Sequence, residues 1–163
     1  MLENELRQLF PMEERMTMVR KAQVYSAAIK LVKMKLDVWD NEFKLTSSHN
    51  PIHHVESRIK TPESTAAKLE RQGQPVRMDR LEEYVHDLAG VRVVCRYIND
   101  VYQIANLLNN SDLEVIKIRD YIQDPKPNGY RSYHIVLRVP VELSDSRPSV
   151  PVEVQIRTIA MGT

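Results

Sequence analysis

EVIKIRDYIQDPKPNGYRSYHIVLRV, residues 114–139, carries two β-strand signals on either side of one loop. Glu114–Ile122 and Ser132–Val139 are rich in β-branched and aromatic residues, which suit a pleated, half-buried surface. In the loop, Pro125 and Pro127 stiffen the chain and Asn128-Gly129 supplies a positive-φ turn. Lys126 is thrust out between the prolines. A hairpin turn accounts for Asn-Gly, but not for Lys126, Tyr130, Arg131 and His134 gathered around it. A cation beside a planar ring is what a nucleotide needs, for a phosphate and a base respectively.

Reading outward, Val152–Arg157 is a third strand, reached through the Pro- and Ser-rich connection Pro140–Pro151. Short links predict antiparallel neighbours for these three strands. Upstream, Gly90–Tyr97 (GVRVVCRY) reads as a buried strand, followed by a helix over Val101–Leu108 with Asn99 and Asp100 as caps. A helix between the strands at 90–97 and 114–122 favours parallel or mixed pairing there. Asp79 and Glu82 suggest a capping box for a short helix ending near Asp87. Thr61-Pro62 starts another, which runs to about Gln72 and stops at Gly73. Thr46–Pro51 is a break. Before it, Met18, Ala22, Tyr25, Ile29, Val32, Leu36, Trp39 and Phe43 alternate in steps of four and three along a helix of about residues 12–45. That seam suits either docking on its own domain or packing against another subunit. The expected fold class is α/β (α+β), a mixed sheet flanked by helices, in one domain over residues 1–163 with a core at about 50–161.

Composition excludes several chemistries. The four glycines, at 73, 90, 129 and 162, are too dispersed for a GxGxxG or Walker-type loop, so side chains must hold any phosphate. Cys95 is the one cysteine, which removes disulfide frameworks and multi-cysteine zinc sites and suits a buried, reduced strand thiol. The net charge of +1 advertises no nucleic-acid or anionic-membrane partner. With no long apolar run and no leader pattern in MLENELRQLF, the expectation is a soluble cytoplasmic chain without membrane contact.

Strand alternation groups Glu153, Gln155 and Arg157 on one face, Ser132, His134, Val136 and Arg138 on another, and Lys117, Arg119 and Tyr121 on a third. Adjoining strands would assemble Arg119, His134, Glu153 and Gln155 on one polar side, either as a site or as a solvated face. A second basic cluster precedes it: Arg58 and Lys60 stand before the Pro62 helix, whose first amides and Ser64 hydroxyl suit a phosphate, with Lys68 one turn on. An ordinary solvated helix face has the same pattern. Asp87 and Glu153 remain as carboxylates for a cation, and so sparse a supply suits magnesium better than zinc. His49, His53 and His54 read as surface residues in the turn.

Together, SRIK (57–60), Glu63-Ser64 with Lys68, HDLAGVRVVCRY (86–97), KIRDYIQDPKPNGYRSYH (117–134) and VEVQIRTIAM (152–161) resemble the small alarmone synthetases of the RelA/SpoT family, those of Firmicutes type most closely. The resemblance implies a nucleotidyltransferase-like fold and transfer of the β,γ-pyrophosphate of ATP to the 3′-hydroxyl of GTP or GDP, giving pppGpp or ppGpp and AMP. On the donor side it implies that Arg58 and Arg92 sandwich adenine, that Lys60, Ser64 and Lys68 hold phosphates, and that Asp87 and Glu153 bind magnesium. On the acceptor side it implies Tyr130 stacked on guanine within the Asn128 loop, Lys126 and His134 on phosphates, and Gln155 orienting the acceptor. Arg119 would neutralise the transferred group, and Glu153 would activate the hydroxyl. Family resemblance further implies a homotetramer. With no His-Asp hydrolase pattern upstream, a stand-alone synthetase is expected. The family's Asp or Asn after RTIAM, its Phe-Trp pair and its terminal helices have no counterpart in Met161-Gly162-Thr163, so a non-catalytic nucleotide-binding module is one alternative. The other is a tRNA-modifying pyrophosphokinase of the same fold, against which the near-zero net charge argues.

Overall fold

The computed structural model describes residues 12–60, 69–73 and 88–162. Helix α1 spans Met12–Thr46, and its seam is docked on its own sheet. Tyr25, Ile29, Val32 and Leu36 are buried, and Trp39 and Phe43 pack against the same core. The helix stops where Thr46 Oγ1 donates to the Glu42 carbonyl at 2.7 Å and the Ser47 amide to that of Phe43 at 2.9 Å. Lys35 Nζ reaches Asp112 across the surface at 2.8 Å, and this hydrogen bond holds the exposed Asp112 carboxyl below its ordinary range.

Among the described residues five strands follow: β1 (Ile52–Ile59), β2 (Ala89–Cys95), β3 (Glu114–Asp120), β4 (Tyr133–Pro140) and β5 (Ser149–Thr158). Their order across the sheet is β1-β2-β5-β4-β3. Among the described residues only β2 and β5 run parallel; β1 with β2, β4 with β5 and β3 with β4 are antiparallel. The last three strands are therefore antiparallel neighbours, as their short links predict. The pairing expected between the strands at 90–97 and 114–122 does not form, since β5 and β4 lie between them. Helix α2 (Ile98–Asn109) carries the chain from β2 to the far edge, and β4 and β5 then fill the space back inward.

Two local readings are corrected. Residues 52–59 form strand β1, so His53 and His54 stand on an edge strand, exposed as expected, rather than in a turn. Helix α2 begins at Ile98 with Tyr97 as its N-cap, so Asn99 and Asp100 belong to its first turn. Asp100 reaches back to the Tyr97 amide at 3.1 Å, while its other oxygen meets His49 Nε2 at 2.8 Å. The short helix read before Asp87 lies outside the described residues. The end of the Pro62 helix lies inside them: residues 69–71 are helical, and Gly73 follows at φ +69°, its amide donating to the Glu70 carbonyl at 3.0 Å.

Helices α1 and α2 cover one face of the sheet, where Val91, Val93, Ile135, Leu137, Val152, Val154 and Ile156 meet Ile104, Leu108, Val32 and Leu36 in a single apolar core. Burying one such side chain is worth roughly 1.5–3 kcal/mol. No helix among the described residues is long and apolar enough to cross a membrane. The other face of the sheet carries the polar residues.

Candidate active site

Register fixes the polar face. One row across all five strands reads Glu56, Arg92, Gln155, His134 and Arg119, and the next reads Arg58, Gly90, Glu153, Val136 and Lys117. Alternation along each strand puts both rows on the same side. The four residues expected together, Arg119, His134, Glu153 and Gln155, thus occupy adjoining positions. Gln155 Nε2 donates to Glu153 Oε1 at 2.8 Å, and His134 Nδ1 lies 3.8 Å from Glu153 Oε2. Both side chains of the His134–Glu153 pair are largely shielded, at 15% and 17% exposure. Arg119 shares their row, but its guanidinium donates to the Ile118 carbonyl at 2.9 Å.

At the β1–β2 end, Arg58 and Arg92 line a pocket of about 140 Å³ together with Ser57, Gly90 and Gln155. Gly90 adds no side chain between the two arginines, which leaves its floor open. Arg92 Nη1 lies 3.5 Å from Glu56 Oε2, and its Nε is buried with no hydrogen-bond partner among the described residues. Lys60 follows at the end of β1, its amide bonded to the Leu88 carbonyl at 2.9 Å. Ser64, Lys68 and Asp87 lie outside the described residues.

At the other end, the β3–β4 loop folds over His134. Gly129, at φ +87°, closes a turn in which its amide donates to the Lys126 carbonyl at 2.8 Å. Asn128 Oδ1 accepts the Tyr130 amide at 3.0 Å, so this side chain shapes the loop. The Tyr130 hydroxyl meets His134 Nε2 at 2.8 Å. Lys126 Nζ stands over the Tyr121 ring at 4.8 Å and the Tyr130 ring at 5.2 Å. Tyr121, which alternation groups with Lys117 and Arg119, joins the site beyond the residues expected from sequence. Its ring packs edge-on against His134 at 5.2 Å, and the alternation that groups it was the signal.

A continuous polar chain therefore runs from Lys126 through Tyr130, His134 and Glu153 to Gln155, beside the arginine-flanked pocket. It offers cations for phosphates, aromatic rings for a base, and a shielded carboxylate able to take a proton from a hydroxyl. Among the described residues no group of three or more His, Cys, Asp or Glu is arranged to hold a metal ion. Glu153 by itself is an anionic oxygen donor of the kind magnesium takes when phosphates complete its shell.

The region found in RelA/SpoT proteins matches residues 57–163 of the chain. The GTP pyrophosphokinase YwaC of Bacillus subtilis is 44% identical over 139 residues, which cover 85% of this chain and 66% of YwaC. YjbM of the same organism, also a GTP pyrophosphokinase, is 34% identical over 139 residues, 85% of this chain and 64% of YjbM. The chain thus spans just under two thirds of the length of these relatives. The crystal structure of small alarmone synthetase 1 from Bacillus subtilis, bound to its product pppGpp, superposes with a TM-score of 0.81 at 33% identity, covering 88% of this chain and 73% of that one.

Proposed function

The chain belongs to the RelA/SpoT family, and on that premise we propose that it is a (p)ppGpp synthetase, transferring the β,γ-pyrophosphate of ATP to the 3′-hydroxyl of GTP or GDP. The observation that carries this reading is the Lys126–Tyr130–His134–Glu153–Gln155 chain lying beside the Arg58–Arg92 pocket on one sheet face.

In this reading adenine enters between Arg58 and Arg92, which supply cationic planes to its two faces. Lys60, Ser64 and Lys68 hold the ATP phosphates. Guanine stacks on Tyr130, and Lys126 and His134 take the acceptor phosphates. Glu153 accepts the 3′-hydroxyl proton as that oxygen bonds to the β-phosphorus; the bond from this phosphorus to the AMP oxygen breaks, and AMP leaves. Gln155 holds Glu153 Oε1 and so aims the carboxylate. Arg119 neutralises charge on the transferred group after turning from the Ile118 carbonyl. Asn128 supports Tyr130 by shaping its turn.

Magnesium would be held by Glu153 and Asp87 and would supply charge neutralisation to the ATP phosphates. We further place the chain in a homotetramer, for which the exposed Leu31, Met34 and Val38 of α1 offer contact surface. A cytoplasmic setting suits its nucleotide substrates and its unpaired, buried Cys95.

The test incubates the protein with magnesium, ATP labelled at its γ-phosphate and either GTP or tRNA, followed by chromatography. The expected result is labelled pppGpp with an equal amount of AMP. Label in tRNA would favour the tRNA-modifying reading. Binding of ATP and GTP analogues without any transfer would mark a non-catalytic nucleotide-binding module.

A further inference from the structure

We propose that Asp120 and Tyr102, on the far side of the sheet, are positioning residues that tether the acceptor loop; the inference rests on the functional reading above. Asp120 ends β3 in a row with Tyr133 and Ile156, and so belongs to the helix-covered face and not to the polar one. Each of its oxygens is used. Oδ1 accepts the amides of Ile122 at 2.9 Å and Gln123 at 3.1 Å, and Oδ2 accepts the Tyr102 hydroxyl at 2.7 Å. Its carbonyl accepts the Asp124 amide at 3.2 Å. One carboxylate therefore sets the first turn of the loop and anchors it to α2.

Tyr102 is itself fixed. Its ring lies edge-on to Tyr133 at 5.9 Å, and Asn109 Nδ2 donates to the Tyr133 hydroxyl at 3.4 Å. Desolvation, followed by the hydrogen bond and charge of Asp120, raises the Tyr102 phenol to about 12, so it stays a proton donor at neutral pH. The residue after Asp120 is Tyr121, whose ring supports Lys126 and His134 and whose amide donates to the Ser132 carbonyl at 2.8 Å. The direction of the turn at Asp120 thus decides where the rings and the cation for the acceptor nucleotide stand. The pocket between Arg58 and Arg92 is at the opposite end of the sheet and shares no residue with this turn.

The test compares wild type with Tyr102→Phe, which keeps the ring and deletes the hydroxyl, and with Asp120→Asn, which keeps an acceptor for both amides. Steady-state kinetics, GTP binding by titration calorimetry and amide exchange at Ile122 and Gln123 in the ligand-free protein are read together. Tyr102→Phe is expected to raise KM and Kd for GTP about tenfold, with kcat and the ATP KM nearly unchanged. Exchange at Ile122 and Gln123 should accelerate, and Asp120→Asn should be milder. An equal rise in both substrate KM values, or unchanged GTP affinity in a variant of wild-type Tm, overturns the tether. Wild type that binds no GTP overturns the functional reading and this inference with it.

Discussion

Gln155 donates its side-chain amide to Glu153 at 2.8 Å from two positions along the same strand, which leaves the second carboxylate oxygen facing His134 at 3.8 Å. The carboxylate is thus held from one side by an amide and lies near an imidazole on the other. A group so held loses little freedom on binding substrate, which favours its use in proton transfer. His134 in turn bonds the Tyr130 hydroxyl at 2.8 Å, so Glu153 and Tyr130 are two links of one chain.

Glu153→Gln keeps the shape and removes the basicity. We expect pyrophosphate transfer to fall by at least about 10²-fold while ATP affinity changes little. Rapid-quench measurement of pppGpp formation, beside equilibrium binding of an ATP analogue, checks both halves. Turnover near that of wild type would remove Glu153 from the reaction.

Tyr130 has two separable parts, an aromatic ring, which the proposed function stacks on guanine, and a hydroxyl on His134. Tyr130→Ala should raise the GTP KM by an amount equivalent to roughly 1–3 kcal/mol, with the ATP KM unmoved. Tyr130→Phe should recover most of that loss. An unchanged acceptor KM in the alanine variant would count against stacking.

These contacts were legible in different degrees. The loop was readable because its prolines and Asn128-Gly129 are local conformational signals, and the shared face of Arg119, His134, Glu153 and Gln155 followed from period-two alternation. Strand β1 was not readable. IHHVESRI is a largely exposed edge strand, and the irregularity between Ile52 and His54 breaks the alternation that would betray it. Nor was the sheet order: the parallel partner of β2 is β5, the last strand, and no local pattern specifies a pairing so distant in sequence. Arg119 lies in the expected row, yet its side chain turns to a backbone carbonyl, a choice of rotamer that spacing does not encode.

The core carries a separate expectation. Ile135 is fully buried in β4, paired with Val154 and facing the helices, so Ile135→Ala leaves a cavity with helices and sheet on its two sides. A loss of about 2–5 kcal/mol in unfolding free energy is expected, read as a lower urea midpoint with an unchanged slope. A loss under about 0.5 kcal/mol would mean that the packing relaxes freely around the deletion.

Cys95 contributes to the pH dependence, as does Tyr102. Cys95 is fully buried in β2, and burial, followed by the Asp100 carboxylate, pushes its thiol up from 9.0 to about 12 against the opposing charge of Arg96. Because the folded value lies above the unfolded one, the protonated thiol favours the native state. That contribution is complete below about pH 9 and is lost as the pH rises toward 12. The urea midpoint should therefore decline in alkaline solution, with the raised Tyr102 phenol contributing to the same decline, and Cys95→Ala should remove the thiol's part of it even though it costs some packing at neutral pH. In the folded protein at about pH 8 the thiol should resist a disulfide reagent such as dithiobis-nitrobenzoate, and in denaturant it should react with one equivalent. Full-rate reaction in the native protein would show that β2 opens far more readily than its burial between helices and sheet allows.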